Sequence, residues 1–146
     1  MNSFLTVQTP ILVVDDDIWI TRLILQRLSR KDFNIESVTS GQEAIAWIEN
    51  HPESIILIDY LLEDMTAYEV LTRIDMQDRF LEFIVMTSIE DIKIAVMMTE
   101  LGVFDFIIKS PEFLATLPMV LKKVDQYLAV RKQLKIPNVK LKVISS

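Results

Sequence analysis

Two kinds of apolar pattern alternate along the chain: short unbroken runs, and longer segments in which apolar residues recur at helical spacing. The clearest run, residues 55–58, contains only isoleucine and leucine and is followed directly by Asp59. An unbroken run of this length is typical of a strand that is buried on both faces. Together with the turn residues between segments, the patterns predict strands at residues 11–14, 33–38, 55–59, 83–86 and 103–108.

A helical segment follows each predicted strand. We expect the first helix to begin after an N-cap at Asp17 and the second to open with a capping box at residues 40–43. The fourth is expected at about residues 90–101. The last is expected at about 118–133, with Pro118 in its first turn, where the missing N–H of proline does no harm. Five strand–helix units in series predict a parallel sheet with helices on both faces.

The pattern places one domain at residues 10–133. A loose N-terminal lead-in, residues 1–9, is expected before it, and a C-terminal tail, residues 134–146, after it. In the tail, apolar residues alternate with lysines, which is typical of a strand. The tail could therefore pair at a sheet edge, exchange between subunits or link to an output domain, and the linker is the favoured interpretation.

Composition narrows the classes of function. Of the 146 residues, 51% are hydrophobic and 25% charged, a profile typical of one globular domain. The net charge of -6 argues against a dominant nucleic-acid surface, though not against a local one, and no direct nucleic-acid binding is evident from the sequence. The absence of cysteine and the single histidine, His51, exclude disulfides, thiolate zinc sites and histidine metal clusters. Because no apolar run approaches the roughly 20 residues that span a bilayer, and no signal peptide is evident, we expect a cytoplasmic protein without membrane insertion.

Reactive side chains stand at the ends of four predicted strands. Asp15 and Asp16 follow the first strand, Asp59 ends the third, Thr87 follows the fourth and Lys109 follows the fifth. In a doubly wound parallel sheet, functional groups gather outside the carboxyl ends of the strands. If the strand order is 2-1-3-4-5, these four strands are neighbours and their polar side chains share one pocket.

This combination of side chains fits the transfer of a phosphoryl group to a carboxylate. Three neighbouring carboxylates repel one another unless a cation is present, and oxygen-only ligands favour a hard ion such as Mg²⁺. Asp59 would then be the nucleophile. Catalysis of phosphoryl transfer consists mainly of positioning and charge stabilisation, which the ion, the Lys109 ammonium and the Thr87 hydroxyl can supply.

With these residues in place, the chain resembles a response-regulator receiver domain of two-component signalling, similar to the chemotaxis regulators. The matching segments are Val-Val-Asp-Asp-Asp at residues 13–17, Leu-Ile-Asp at 57–59, Met-Thr-Ser at 86–88 and Asp-Phe-Ile-Ile-Lys at 105–109. The resemblance implies a flavodoxin-like (βα)5 fold, a doubly wound parallel five-stranded sheet in the order 2-1-3-4-5. It covers about residues 10–133.

The resemblance also implies a metal site around the phosphorylated residue. Asp59 would be the phosphorylation site, and Asp15, Asp16 and Asp59 would hold Mg²⁺ together with the backbone carbonyl of Leu61. The implied phosphoryl donor is a sensor histidine kinase, a histidine phosphotransfer protein or a small acyl phosphate. The domain is then not an enzyme in the ordinary sense, because it catalyses only its own phosphorylation and dephosphorylation.

The resemblance also implies how the change would be transmitted. Thr87 and Lys109 would contact the phosphoryl group. The change would spread through Thr87 and through Phe106, which takes the place of the rotating aromatic switch. The signal would reach an interaction face made of the fourth helix, the fifth strand and the last helix, which could bind an effector or a second copy of the chain. On the fourth helix we expect Ile92, Ala95 and Val96 to face the core.

The chain departs from the family pattern at three places. Ser110 stands where proline usually follows the lysine, so a cis peptide is much less expected there. Residues 63–67, after the acceptor, lack the usual proline and glycines, which predicts a stiffer or differently shaped loop. Phe106 has no hydroxyl, so any signal through it would rest on ring packing alone.

A kinetic expectation follows from two positions beside the site. Leu61 and Ile89, two residues beyond Asp59 and Thr87, are branched and apolar and should flank the phosphoryl group. Because they offer an attacking water no hydrogen bond, slow loss of phosphate from Asp59 is expected.

Two other classes of function stay open. A Mg²⁺-dependent phosphatase with an aspartyl nucleophile needs an acid two residues after the nucleophile, and Leu61 holds that position. The other class is a protein-interaction module on the same fold that is not phosphorylated. The intact set of acids, hydroxyl and lysine argues against that class.

Overall fold

A computed structural model describes residues 7–28, 30–88 and 91–139 of the chain. The described part forms five strands and five helices in strict alternation. The strands are β1 (Val7–Val14), β2 (Phe33–Val38), β3 (Glu53–Asp59), β4 (Phe80–Thr87) and β5 (Asp105–Ile108). The helices are α1 (Ile18–Arg27), α2 (Gly41–Glu49), α3 (Ala67–Arg73), α4 (Ile92–Glu100) and α5 (Phe113–Gln133).

All neighbouring strands are parallel, and their order is β2-β1-β3-β4-β5. This confirms the predicted flavodoxin-like doubly wound sheet. None of the helices in the described ranges combines the length and the apolar character needed to cross a bilayer.

The unbroken apolar run of β3 is explained by the two cores that it joins. Ile56 and Ile58 pack into a core with α2, α3 and α4 on one face of the sheet. Ile55 and Leu57 pack into a second core with α1 and α5 on the other face. Since successive side chains of a strand point to opposite faces, a central strand in such a sheet has no polar face. Asp59 is the first polar residue after this apolar run and lies where both cores end.

Several strands begin at residues other than those predicted. β1 begins at Val7, which is buried and pairs with Phe33, so part of the predicted lead-in belongs to the sheet. β4 begins at Phe80, and residues 103 and 104 precede β5. Residues 1–6 lie outside the described ranges.

The prediction that Pro118 lies in the first turn of the last helix is wrong. α5 begins at Phe113, so the proline lies inside the helix. A proline at this position cannot donate to the carbonyl of Leu114, one turn earlier. That carbonyl instead accepts a hydrogen bond from Arg27 Nε of α1 at 3.2 Å. The neighbouring helix thus supplies the missing donor, and α5 continues through the proline.

The predicted inward face of α4 is also wrong. Ile92 and Val96 are 79% and 51% exposed, and Ala95 is only half-buried. The buried residue is Met98, and it packs with the partly buried side chains at positions 94, 97 and 101. These positions form a complete i, i+3, i+4, i+7 stripe, which is the spacing of one helix face. Because α4 is apolar on several sides, its sequence did not single out this stripe.

Part of the predicted tail folds back onto β4. The N–H of Asn138 donates to the carbonyl of Arg79 at 2.7 Å. Its side-chain amide accepts from the N–H of Leu81 at 2.6 Å and donates to the carbonyl of Leu81 at 3.0 Å. Leu81 precedes Ile84, where β5 begins to pair with β4, so Asn138 covers an edge of β4 that β5 leaves open. Residues 140–146 lie outside the described ranges, and the linker interpretation stays a prediction.

Candidate metal and phosphorylation site

The carboxyl ends of β1 and β3 bring the predicted acids together. One carboxylate oxygen from each of Asp15, Asp16 and Asp59 lies within 4.8 Å of the other two. Asp15 is fully buried, whereas Asp16 and Asp59 are partly exposed. The predicted proximity of the three carboxylates is confirmed, because β1 and β3 are direct neighbours in the sheet.

Lys109 reaches this cluster from the end of β5. Its Nζ lies 2.6 Å from Asp15 Oδ2 and 3.4 Å from Asp59 Oδ1. The backbone N–H of Lys109 donates to the carbonyl of Thr87 at 2.7 Å, which ties the end of β5 to the end of β4. Thr87 is itself buried at this edge of the sheet. The structure thus brings together the four charged residues, Asp15, Asp16, Asp59 and Lys109. It also holds the backbone of Thr87 beside them.

The three consecutive aspartates, residues 15–17, have two different roles. The side chain of Asp17 accepts hydrogen bonds from the N–H groups of Trp19 and Ile20 and caps α1, as predicted. The N–H of Asp17 also donates to Asp15 Oδ1 at 2.9 Å. One carboxylate oxygen of Asp15 is therefore held by the backbone and the other by Lys109, which fixes its orientation.

The ionisation of Asp59 is opposed by its surroundings. The pKa of the Asp59 carboxyl is raised to about 6, mainly because the group is buried. The Lys109 ammonium opposes this rise, and the nearby Asp15 and Asp16 carboxylates add to it. A divalent cation would favour the charged form of all three acids. The donor set, made only of oxygen and with more negative than positive charge, fits Mg²⁺.

The loop after β3 leaves the carbonyl of Leu61 available. Leu61 and Thr66 face each other in an antiparallel bridge. The hydrogen bonds that close it run from Leu62 N–H to the Met65 carbonyl at 3.1 Å and from Ala67 N–H to the Tyr60 carbonyl at 2.8 Å. Neither bond uses the carbonyl of Leu61, so the loop does not compete with a metal ion for that group.

The remaining predicted residues are less constrained. Phe106 is half-buried and packs against the core on the α2–α4 side of the sheet. The described residues contain no cis peptide bond, in agreement with the expectation for Ser110 after Lys109. The side chain of Leu61 is half-exposed at the site. Ile89, its predicted counterpart, lies outside the described ranges.

One polar residue near the site was not singled out by the sequence. Asp64, in the loop after β3, accepts hydrogen bonds from the N–H groups of Gly41 and Gln42 at 2.9 Å each. The available signal was an acid in a segment where the family usually has glycine. Its partners lie 23 and 22 residues earlier, so the contact follows only from the packed fold.

The comparison with known families is decisive. Residues 11–117 match the response regulator receiver domain. The chain belongs to this family. The match contains all the predicted site residues, from Asp15 to Lys109, and it places the chain among the signal-accepting domains of two-component systems.

Curated relatives and solved structures agree with this assignment. The chain is 29% identical over 119 residues to a protein named probable transcriptional regulator ycf27 from Porphyridium aerugineum, covering 80% of this chain and 49% of that protein. It is 27% identical over 99 residues to the alkaline phosphatase synthesis transcriptional regulatory protein PhoP of Bacillus subtilis, covering 68% and 41%. The chain therefore spans about half the length, or less, of these relatives.

Among solved structures, a CheY-like response regulator receiver domain from Methanospirillum hungatei superposes with a TM-score of 0.71 at 26% identity, covering 86% of this chain and 97% of that one. A CheY from Borrelia burgdorferi, in a complex with CheX, BeF3 and Mg²⁺, has the same fold with a TM-score of 0.71 at 22% identity, covering 85% and 94%.

Proposed function

We propose that this receiver domain acts in a phosphorelay in which Asp59 accepts a phosphoryl group in the presence of Mg²⁺. The observation that carries the proposal is the cluster of three carboxylate oxygens within 4.8 Å, next to a lysine ammonium that contacts two of the acids. The donor is the phosphohistidine of a sensor histidine kinase or a phosphotransfer protein. A small acyl phosphate can replace it.

The residues of the chain divide the work of the transfer. A carboxylate oxygen of Asp59 attacks phosphorus and forms a P–O bond, while the bond from phosphorus to the donor nitrogen or oxygen breaks and its electron pair leaves with the donor. Asp15, Asp16, Asp59 and the carbonyl of Leu61 would hold Mg²⁺, which supplies charge stabilisation for the phosphoryl oxygens. No base is needed, because a carboxyl group with a pKa of about 6 is mostly ionised at neutral pH.

Lys109 and the hydroxyl of Thr87 would take the phosphoryl oxygens that face β4 and β5. Lys109 already lies 3.4 Å from Asp59 Oδ1, so a small movement away from Asp15 brings its ammonium to a phosphoryl group on that oxygen. The domain would turn over no external substrate. The position of Leu61 disfavours the phosphatase alternative, since its side chain cannot donate a proton to a leaving group.

The output would pass to the face formed by α4, β5 and α5. Phe106 links β5 to the core beneath α4, and the exposed side chains of Ile92 and Val96 give α4 an apolar outer surface. Such a surface fits an effector or a second copy of the chain. Because the matched relatives are named transcriptional regulators, we propose that the output is control of transcription. The cytoplasmic location stays a prediction.

Mass spectrometry after incubation with acetyl phosphate and Mg²⁺ tests the proposal. We expect the chain to gain one phosphoryl group, and we expect no gain in the Asp59→Asn variant or after Mg²⁺ is removed with a chelator. Lys109→Ala should slow the gain by at least about tenfold, because it removes a positive charge from the transferring group. A chain that gains no phosphate under these conditions would support the interaction-module alternative, and continuous release of inorganic phosphate without an adduct would support the phosphatase.

A further inference from the structure

The loop between β3 and α3 is held in place without the usual glycines. Its base is closed by the two hydrogen bonds that flank Leu61 and Thr66. Its outer part, residues 64 and 65, contacts the first turn of α2. The loop begins directly after the proposed phosphorylation site and carries the backbone carbonyl that would complete the Mg²⁺ site. Its shape therefore decides where that carbonyl lies.

The carboxylate of Asp64 joins this loop to the N-terminus of α2. The N–H of Gly41 donates to Asp64 Oδ1 and the N–H of Gln42 donates to Oδ2, both at 2.9 Å. The N–H of Glu43 is taken by the Ser40 hydroxyl at 3.1 Å. The first N–H groups of a helix have no partner within the helix. Here α2 receives one acceptor from its own cap and two from the distant loop.

The charge of Asp64 agrees with this geometry. Partial desolvation alone would raise the pKa of its carboxyl, but the hydrogen bonds from the N–H groups of Gly41 and Gln42 outweigh it and lower the pKa. The carboxylate is therefore ionised at neutral pH and accepts through both oxygens. A charged acceptor at a helix N-terminus makes a stronger contact than a neutral one.

Met65, the next residue, fixes the loop from the other side. Its side chain is buried against Gly41, where an added Cβ would lie 2.4 Å from Met65 Cγ and 2.7 Å from Sδ. One residue of α2 thus receives both anchors, because the N–H of Gly41 binds Asp64 while its Cα makes room for Met65. A loop held at two adjacent residues has little freedom to shift along the helix.

We propose that Asp64 is a positioning residue for the metal site, which holds the loop so that the carbonyl of Leu61 stands ready beside Asp59. This inference rests on the proposed Mg²⁺ site. Without the anchor, the loop would have to become ordered when the ion binds, and that ordering would weaken binding. Residues that orient the groups binding a metal directly commonly change affinity by about tenfold or more when they are removed.

Isothermal titration calorimetry with Mg²⁺ on the full chain tests the proposal. For Asp64→Ala we expect the Mg²⁺ dissociation constant to rise by about tenfold. Glu63→Ala is the matched control, because it removes the same charge from the neighbouring exposed residue, which lies outside the contact with α2. It should change the constant by less than about twofold, since an exposed charge is screened. Asp64→Asn should fall between the two, because its amide keeps one of the two acceptors.

A second variant reaches the same loop from α2. Gly41→Ala leaves Asp64 in place but displaces Met65, and it should also raise the dissociation constant. In phosphorylation by acetyl phosphate, both Asp64→Ala and Gly41→Ala should need more Mg²⁺ for half-maximal rate, while the rate at saturating Mg²⁺ should stay within about twofold of the unmodified chain. A general loss of folded protein would instead lower the rate at every Mg²⁺ concentration.

The outcomes separate this inference from the function on which it rests. If the unmodified chain binds Mg²⁺ no better than Asp59→Asn, the proposed metal site is wrong. If the unmodified chain binds Mg²⁺ but Asp64→Ala behaves like Glu63→Ala, the metal site stands and the positioning role of Asp64 is wrong.

Discussion

At Asp59, burial favours the neutral carboxyl group, whereas the proposed phosphoryl transfer requires the ionised carboxylate. A folded-state pKa of about 6, against the usual value of 3.8, means that the folded chain holds this proton more tightly than the unfolded chain. The stability that the protonated group contributes is therefore complete below pH 3.8 and is lost as the pH rises through about 6. In the absence of a cation, the ionised Asp59 carboxylate destabilises the fold.

Replacement of Asp59 should therefore stabilise the chain at neutral pH. In Mg²⁺-free buffer at pH 7.5, we expect Asp59→Asn to raise the free energy of unfolding by about 1–3 kcal/mol. The difference should shrink steadily between pH 6 and pH 4.5, where Asp59 of the folded chain takes up its proton. Urea unfolding at a series of pH values measures it, with Glu63→Gln as an exposed-carboxylate control. An equal difference at pH 5 and pH 7.5 would contradict the burial argument.

The clustering of the charged side chains at the candidate site could be predicted from the sequence, whereas their individual contacts could not. Asp15, Asp59 and Lys109 each stand at the end of an apolar run, and the strand order brings those ends together. The pairing of Lys109 with Asp15 at 2.6 Å, closer than its contact with Asp59, depends on side-chain geometry. The contact between Asp64 and α2 likewise depends on how the loop packs, which no local pattern encodes.

At the scale of elements, the last turn of α5 is anchored to the beginning of β4. Arg131 Nη1 lies 2.8 Å from Glu82 Oε1, and both side chains are buried. Arg131 Nε also donates to the carbonyl of Ile136 at 3.0 Å, where the tail turns back towards Asn138. Burial raises the pKa of Glu82, and the Arg131 guanidinium partly offsets the shift.

Removal of the guanidinium should leave the Glu82 charge buried and unpaired. We expect Arg131→Met to lower the free energy of unfolding by about 3–5 kcal/mol near neutral pH. The loss should be smaller near pH 5, because Glu82 can then be protonated in the folded state. The double variant Arg131→Met with Glu82→Leu should recover most of it, since an apolar pair of similar volume can replace a buried ion pair. Equal losses in the single and double variants, measured by urea unfolding, would show that packing matters more than charge.

Elements were predicted well where one pattern dominated and poorly where two competed. β2 was predicted at residues 33–38 and found there, because its apolar residues and flanking turns agree. α4 offered apolar residues on several sides, and only packing selected Met98 over Ile92. The start of α5 was misplaced because proline was expected to lie in a first turn, and a donor from α1 removes that restriction.

At the scale of the whole molecule, strand order follows from connections that sequence can reveal. Parallel strands joined by helices cross over with one hand, which leaves few arrangements of five strand–helix units. The two cores determine which face of each helix is buried against the sheet. The strand order does not predict which side chains lie on the exposed faces. The outer surface of α4 is determined by packing, because the stripe around Met98 faces the sheet and leaves Ile92 and Val96 exposed.

That outer surface yields the last prediction. Ile92 and Val96 lie one turn apart on α4 and are both mostly exposed, although each is a branched apolar side chain. If this is the face through which a phosphorylated chain binds a second copy, sedimentation velocity should show a larger species when acetyl phosphate and Mg²⁺ are added.

Ile92→Lys with Val96→Lys should weaken that association by at least about tenfold, because charged groups would be buried in an apolar contact. Leu23→Lys, on the exposed side of α1, removes a comparable exposed apolar residue from another surface and should leave the association unchanged. If the chain stays monomeric with and without acetyl phosphate and binds no effector through α4, this role for the face would be wrong, while the proposal that Asp59 is phosphorylated would stand.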